Sequence, residues 1–520
     1  MRRFGFATLA LGLSGLLLLL GVRVMAPGGW SVWEMLLFLC LALNAPWIAL
    51  AGATGLVGLL LRLRGRTPVP IPQAPPMLRT AIAVCVRDEA MDAVLPPLAR
   101  LLDGLAAHGD RFALAILSDT TDPARAKAEQ AVVDAFVKTG RAVRYRRRSD
   151  NAGYKAGNVM DFLDHHADGF DLMLLLDADS EMTPAAVLQM VHAMQADAKL
   201  AILQAPVSGR PAAASFGRLF NVGHRAGVQT WILGQDWWQG AQGPFWGHNA
   251  VLRVAPFRQH CRLGLLPDGT HILSHDHVEA ARLHAAGWGV RVFPDLAADG
   301  SLESPPPDLL AYLARDSRWA AGNLQYRSLL RDRSLSRVGR FQMLQAILHY
   351  VLAPSWFAML PLAALNAALD AEGTPRGALL ALLLLGYGLL HLPRLGGHAA
   401  ALWQGPPEGR AAYLKLALSE AVFLLLFDPI IAFHKTKVVL SHLLGLSQDG
   451  WPAQRRAETP VPWREAATLL WPHSLAGLLV LGLLFSSGSG FALLLGLPAA
   501  AGLVLAIPFA VLTAARPQVK

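Results

Sequence analysis

The sequence predicts an α/β domain built on a mainly parallel sheet and inserted into a bundle of membrane-length helices. Three observations predict it. Of 520 residues, 53% are hydrophobic and only 16% are charged, against about a quarter charged in a typical soluble chain. Long uncharged runs lie towards both ends, while residues 77–335 hold most of the charge and no membrane-length run. Within that middle part short apolar runs alternate with longer amphipathic stretches, which is the pattern of strand, helix, strand, helix.

In chain order, Phe4–Val22 and Met35–Leu61 carry no charge and are bounded by Arg3, Arg23, Arg62, Arg64 and Arg66. A bilayer takes roughly 20 apolar residues per helix, so residues 1–66 read as a transmembrane hairpin. A cleaved leader also fits the basic "MRR" start, but no A-x-A-like site follows and a second apolar run comes soon after. "TPVPIPQAPP" (67–76) is a proline-rich linker.

Strands are expected at 79–86, 112–119, 141–148, 170–180 and 201–207, and helices at 122–140 and 183–194. Thr183 caps the second of these helices and Pro184 opens it. After 335 the chain returns to the membrane. Phe341–Leu369, Gly377–Pro393 and Ala466–Ala515 are uncharged, and "SSGSG" turns the last into a hairpin. Glu420 and Asp428 bound a short apolar piece before Pro429, so 411–447 is expected to be broken, re-entrant or interfacial. The crossing count is about seven by length.

Basic residues flank these runs on one side, which sets the soluble part in the cytoplasm. They account for the net charge of +9 without a nucleic-acid partner. Cys40, Cys85 and Cys261 have no metal-binding spacing. His349, His391, Glu420, Asp428 and His434 lie inside apolar runs, where polar groups are functional candidates or are satisfied between helices.

Ligands of open parallel sheets sit at the carboxyl ends of the strands. Asp88, Glu89, Asp119, Asp177 and Asp179 cluster at those ends. "LLLDADS" places two carboxylates after a buried strand. That arrangement suits a divalent cation bridging a diphosphate, and equally a plain turn. "SDNAGYKAGN" (149–158) is Gly-rich around Lys155 but is neither a P-loop nor a dinucleotide fingerprint. "WILGQDWWQGAQGPFWGHN" (231–249) mixes Trp with amides, as in sugar contacts or in core. Arg318 and Trp319, just before a membrane run, fit an interfacial anchor or a diphosphate clamp.

In "SHDHVEAARLHAAGWGV" (274–290), Asp276 and Glu279 fit the N-cap and N3 of a capping box, with the helix stopping at Gly287. Consecutive His275, Asp276 and His277 are a poor metal set, because adjacent helical positions do not share a face. Asp276 also fits a general base at the lip of a pocket.

The order Asp119, Lys155, Asp177-x-Asp179, His275-Asp276, Arg315-x-x-Arg318-Trp319 resembles membrane-embedded family 2 glycosyltransferases with a GT-A (Rossmann-like) domain, such as cellulose and hyaluronan synthases. "ILSD", "YRRR", "LDADS", "FWGHNAVLR", "ILSHDHVEAA", "AGWGV", "RDSRWAAGNLQ" and "LSEAVF" are similar to the glucans biosynthesis glucosyltransferase H family. The resemblance covers about 80–515 and implies a bacterial inner-membrane enzyme with its catalytic domain at 77–335 and membrane helices over 336–520. It implies UDP-glucose as donor, a β-1,2-linked backbone of osmoregulated periplasmic glucans as product, and a divalent cation, Mg²⁺ before Mn²⁺.

By that resemblance Asp276 is the base and Asp177 and Asp179 carry the metal. Asp88, Glu89, Asp119, Lys155, Asp177 and Arg318 bind the nucleotide sugar; Trp246, His248, Asn249 and Trp319 meet the acceptor. Asp88 stands where the family has Asn, and His277 replaces an aromatic, so His277 receives no role. The growing glucan, the bilayer, a periplasmic glucan-processing protein and acyl carrier protein are the implied partners. Other readings are a cellulose- or hyaluronan-like synthase, a single-sugar transferase to a lipid carrier, and a membrane transporter or scaffold that only senses a nucleotide sugar.

Overall fold

Strand β1 (Thr80–Val86) runs through the middle of the soluble part, and its neighbours define the sheet. The computed structural model describes residues 1–65, 75–297, 299–369, 374–446 and 456–515; most of the expected linker at 67–76 and the basic C-terminal tail lie outside them.

Two helices open the chain, α1 (Arg2–Met25) and α2 (Val32–Leu63). A full capping box starts α2: the Ser31 hydroxyl accepts from the Glu34 N–H and the Glu34 carboxylate accepts from the Ser31 N–H. After β1 come α3 (Met91–Leu105), β2 (Phe112–Ser118), α4 (Pro123–Val137), β3 (Val143–Arg147), α5 (Tyr154–His165) and β4 (Leu172–Asp177). Next are β5 (Glu181–Met182), α6 (Pro184–Ala196), β6 (Leu200–Gln204), β7 (Ser208–Gly209), α7 (Ser215–Gln239), β8 (Ala250–Arg253) and α8 (Val254–His260). The soluble part closes with α9 (Asp276–Ala285), β9 (Gly289–Val292), β10 (Ser301–Glu303) and α10 (Leu309–Gln325).

The main sheet has seven strands in the order β3-β2-β1-β4-β8-β6-β9, and β5, β10 and β7 form a second, small sheet. Only β8 runs antiparallel to its neighbours in the main sheet. All five expected strands are present. The later strands were not expected because runs of two to four residues carry no readable period.

Side chains alternate across each strand. Ile82, Val84, Leu174 and Leu176 pack on one face with α3 and α6, while Ala83, Met173 and Leu175 pack on the other with α5, α8 and α9. The β1, β2 and β4 ends therefore share one edge, where Val86, Ser118 and Asp177 lie level or nearly so.

Beyond 335 the helices are α11 (Arg337–Val351), α12 (Ala353–Leu369), α13 (Arg376–Leu390), α14 (Leu392–Gln404), α15 (Arg410–Leu443), α16 (Trp463–Ser486), α17 (Gly490–Val504) and α18 (Ala506–Ala514). Among the described residues, five helices are long and apolar enough to cross a membrane, or seven if each bent pair counts once. The hairpin turn expected at 486–490 lies between α16 and α17, but its second leg bends by 62° between α17 and α18.

Of the alternatives expected for 411–447, a break is not found among the described residues. Arg410–Leu443 is one helix of 34 residues, about 50 Å long at 1.5 Å per residue. Its charges are matched rather than disruptive. Glu420 accepts from Arg394 at 2.7 Å, and Asp428 lies 3.5 Å from His391.

Helix α7 joins the two parts. It packs against α2 and α14, and α2 and α7 cross at glycines. A Cβ at Gly58 would lie 1.8 Å from the Thr230 carbonyl oxygen, and one at Gly234 would lie 2.0 Å from that of Thr54. Only hydrogen fits there.

Candidate active site

The shared strand edge gathers the acidic residues. Asp88 follows β1 with φ +56°, a left-handed conformation that Asp and Asn tolerate better than most residues. The Asp88 N–H donates to Thr120 Oγ1 at 2.9 Å. The Thr120 hydroxyl donates to buried Glu129 at 2.7 Å, and Tyr145 donates to the other Glu129 oxygen at 2.9 Å. This chain of bonds fixes the mouth of β1 to β2 and β3.

Asp119, just past β2, is 6% exposed. Arg148, just past β3, donates to both its oxygens at 2.8 and 2.7 Å. Such a bidentate pair locks the orientation of the carboxylate. The side chain of Asn151 donates to the Asp119 carbonyl at 2.7 Å.

Asp177 ends β4. Lys155, from the first turn of α5, donates to Asp177 Oδ1 and to the Gly247 carbonyl, the latter at 2.7 Å. Burial pushes the Asp177 carboxyl up, but Lys155, with smaller help from His248, outweighs it and holds the group well below the ordinary carboxylate range. Lys155 thus has a structural part beside the nucleotide role expected of it. It ties the Asp-x-Asp strand to the Trp246-Gly247-His248 loop.

That loop lies against Asp276. Gly247 has φ +81°, and a Cβ there would lie 3.6 Å from the Asp276 Cβ and 3.7 Å from His275 Nε2. Helix α9 begins at Asp276 and breaks at Gly287 (φ +84°), but the expected capping box is absent. His275 takes the N-cap position with no side-chain cap, and the Glu279 carboxylate bonds its imidazole at 2.8 Å. Asp276 is thereby left to face His277, whose Nδ1 lies 3.6 Å from Oδ2, an ion-pair distance. Burial raises the Asp276 carboxyl, yet His277 first and then His275 pull it down to about 2. His277, given no role on sequence grounds, is thus a neighbour of Asp276.

Helix α10 presents the remaining groups. The Arg315 guanidinium stacks 4.4 Å above the Trp319 ring, which is 40% exposed. Arg315 also reaches Glu303 at 3.5 Å, and His248 approaches the other Glu303 oxygen at 3.4 Å. Arg318 is mostly buried. Burial lowers its pKa, and Arg315 and Arg456 lower it further, so three guanidiniums crowd one region.

The aromatic-rich stretch divides. The Trp246 N–H donates to Gln204 at 2.9 Å in the site loop, whereas Trp238 stacks on Phe6 at 4.6 Å and Trp237 meets Arg2, both on α1. Asn249 (φ +49°) is fully buried, and its amide donates to Ser301 at 2.9 Å. It helps to fix the shape of the loop.

Asp179 and Glu89 share a cation of the chain itself. Arg456 makes an ion pair with Glu89, and its Nε lies 3.5 Å from Asp179 Oδ2. Burial raises both carboxyls and outweighs Arg456 at each, so a positive charge beside them favours their ionised form. Among the described residues no three His, Cys, Asp or Glu side chains form a closed metal cage. Two carboxylates with an open side are the donor set that Mg²⁺ takes together with substrate phosphates. The residues present fit such an ion.

Arg148, Glu303 and Arg456 were missed by sequence reasoning, and Glu279 was read there only as a helix cap. Arg148 had a faint signal, at the end of a basic strand. Arg456 had none, lying beyond α15 and far from the other site residues in sequence.

The model of glycosyl transferase family 2 matches residues 82–261, and that of glycosyl transferase family group 2 matches 172–393. A glucans biosynthesis glucosyltransferase H of Shewanella sp. (strain ANA-3) is 34% identical, covering 98% of this chain and 74% of the relative. The chain belongs to the glucans biosynthesis glucosyltransferase H family. A member from Vibrio cholerae serotype O1 (strain ATCC 39541 / Classical Ogawa 395 / O395) is 32% identical over 94% of this chain and 71% of its own length. Among solved structures, a mannosyltransferase from Pyrobaculum calidifontis, in complex with GDP-Man and Mn²⁺, covers 71% of this chain at 16% identity and a TM-score of 0.44. The protein is thus a family 2 glycosyltransferase with a GT-A-like fold and several apolar helices that could span a membrane.

Proposed function

We propose that this family member polymerises glucose from UDP-glucose into a β-1,2-linked glucan backbone at the cytoplasmic face of the bacterial inner membrane. Residues 77–335 are read as its catalytic domain, with 1–66 and 336–520 as the membrane parts. The observation that carries the reading is the convergence on the 246–248 loop. Lys155 ties that loop to Asp177, and Asp276 lies against its Gly247. A donor diphosphate near Asp177 and an acceptor hydroxyl near Asp276 then flank the same loop.

In this mechanism Asp276 takes the proton of the acceptor hydroxyl. The hydroxyl oxygen bonds to the anomeric carbon from the face opposite the nucleotide, and the bond from that carbon to the diphosphate oxygen breaks, so UDP leaves with the electron pair. Arg318 and Arg315 meet the negative charge that develops on the diphosphate. Asp119, fixed by Arg148, meets the uridine, and Trp319 with Trp246 and His248 holds the acceptor sugar. Asp177 and Asp179 would hold a divalent cation, which supplies positive charge beside the diphosphate.

The test is product analysis with purified protein in lipid vesicles. Labelled UDP-glucose is expected to give a polymer of β-1,2 linkage, and protected product inside the vesicles would add export. A β-1,4 product, incorporation of N-acetylglucosamine, or a single sugar on a lipid would each replace this reading.

A further inference from the structure

We propose that Arg456 is the resting counter-ion of the acidic mouth, and that it alternates with the divalent cation on Glu89 and Asp179. This rests on the reading of Asp179 as a cation ligand.

The cations around the mouth are otherwise committed. Lys155 is bonded to Asp177 and to the Gly247 carbonyl, and Arg315 pairs with Glu303 and stacks on Trp319. Arg456 is left as the partner of Glu89 and Asp179. It comes from the strap of residues 456–462 that leads into α16, not from the sheet that carries the carboxylates.

Two anchors dock that strap. The Glu458 carboxylate accepts from the Ala213 and Ala214 N–H groups, at 3.0 and 3.2 Å, where α7 begins. Val461 is buried in the same apolar cluster as Phe216 and Leu309. The guanidinium is therefore held over the carboxylates by contacts that do not involve them. Its side chain is 27% exposed, which leaves a path to water for exchange. A hard divalent ion and a guanidinium compete for the same carboxylate lone pairs, and two such charges side by side repel. The chain therefore resists loading with the ion alone.

The test measures Mn²⁺ binding to full-length protein in nanodiscs without nucleotide, by loss of the free-ion electron paramagnetic resonance signal. Arg456→Gln is expected to bind Mn²⁺ about tenfold more tightly than the unaltered chain, the worth of about one pKa unit of interaction. Glu458→Gln, which loosens the strap without touching the carboxylates, should shift affinity the same way. Asp179→Asn combined with Arg456→Gln should lose the gain. Equal or weaker binding in both single variants overturns the proposal, as does a gain that persists with Asp179→Asn, or no binding by any chain. No nucleotide sugar is present, so a wrong donor or linkage leaves this measurement unchanged, while the polymer assay alone decides the transferase reading.

Discussion

Replacing Asp276 with Asn removes one proton acceptor and little else. The side chains have the same shape, and no side-chain cap of α9 depends on Asp276, because the N-cap position belongs to His275. With its carboxyl held near 2 by His277 and His275, Asp276 is ionised at neutral pH in essentially every molecule. General-base catalysis contributes about 10²–10⁴-fold, or about 3–5 kcal/mol of barrier. A group with so low a pKa is a weak base, which points to the lower half of that range, roughly 10²–10³. The assay is initial rate of glucan synthesis from labelled UDP-glucose, with UDP affinity measured by calorimetry on the same preparation. The rate should fall by that factor while UDP affinity changes less than about threefold, because Lys155 and Asp177 stay bonded. A near-normal rate, or a loss of UDP binding equal to the loss of rate, would falsify the assignment.

His277→Phe removes the strongest group holding Asp276 ionised, while His275, Lys155, Glu279 and Tyr326 still face it. The folded-state pKa of Asp276 is depressed, so ionisation is lost as pH falls through it. The acid limb of the pH–rate profile should therefore move up, by roughly one unit; an unmoved limb would count against the pairing. Lys155→Met leaves Asp177 without its counter-charge. Breaking a buried pair costs about 3–5 kcal/mol, and this one is a quarter to a third exposed, so a loss at or below about 3 kcal/mol is expected in thermal unfolding. In the unaltered chain that contribution is present above about pH 4 and disappears on acidification through the lower folded-state value. Arg148→Ala strands a buried Asp119. Unfolding temperature and UDP affinity should drop together, and unchanged UDP affinity in a folded variant would separate Asp119 from the nucleotide.

The places where sequence reasoning succeeded share a physical basis. Thr183 and Pro184 begin α6 as expected, with Thr183 accepting from the Ala186 N–H at 3.2 Å, because capping is a matter of three neighbouring residues. The strands at 80–86, 112–118 and 172–177 were legible because a central parallel strand is apolar on both faces. The capping box at Asp276 failed because a longer-range choice won: Glu279, buried among core residues, took His275 as its partner. The break expected within 411–447 failed because a charge in an apolar run costs much less once a neighbouring helix supplies its partner, and Arg394 on α14 does so for Glu420. The burial of Asn249 was not legible from its company in "FWGHN", because burial is not a property of neighbours in sequence.

The sequence by itself determined the architecture and the acidic edge. Hydrophobic periods and run lengths act locally, and residues that end parallel strands share one side of the sheet. Tertiary structure alone decided how that edge is charged. Lys155 spends its charge on Asp177, Arg148 holds Asp119, His277 faces Asp276, and Arg456 arrives from the strap before α16 to sit on Glu89 and Asp179. Ion pairing depends on distance through space and on the loss of water around both partners, and neither is written in the spacing of residues along a chain.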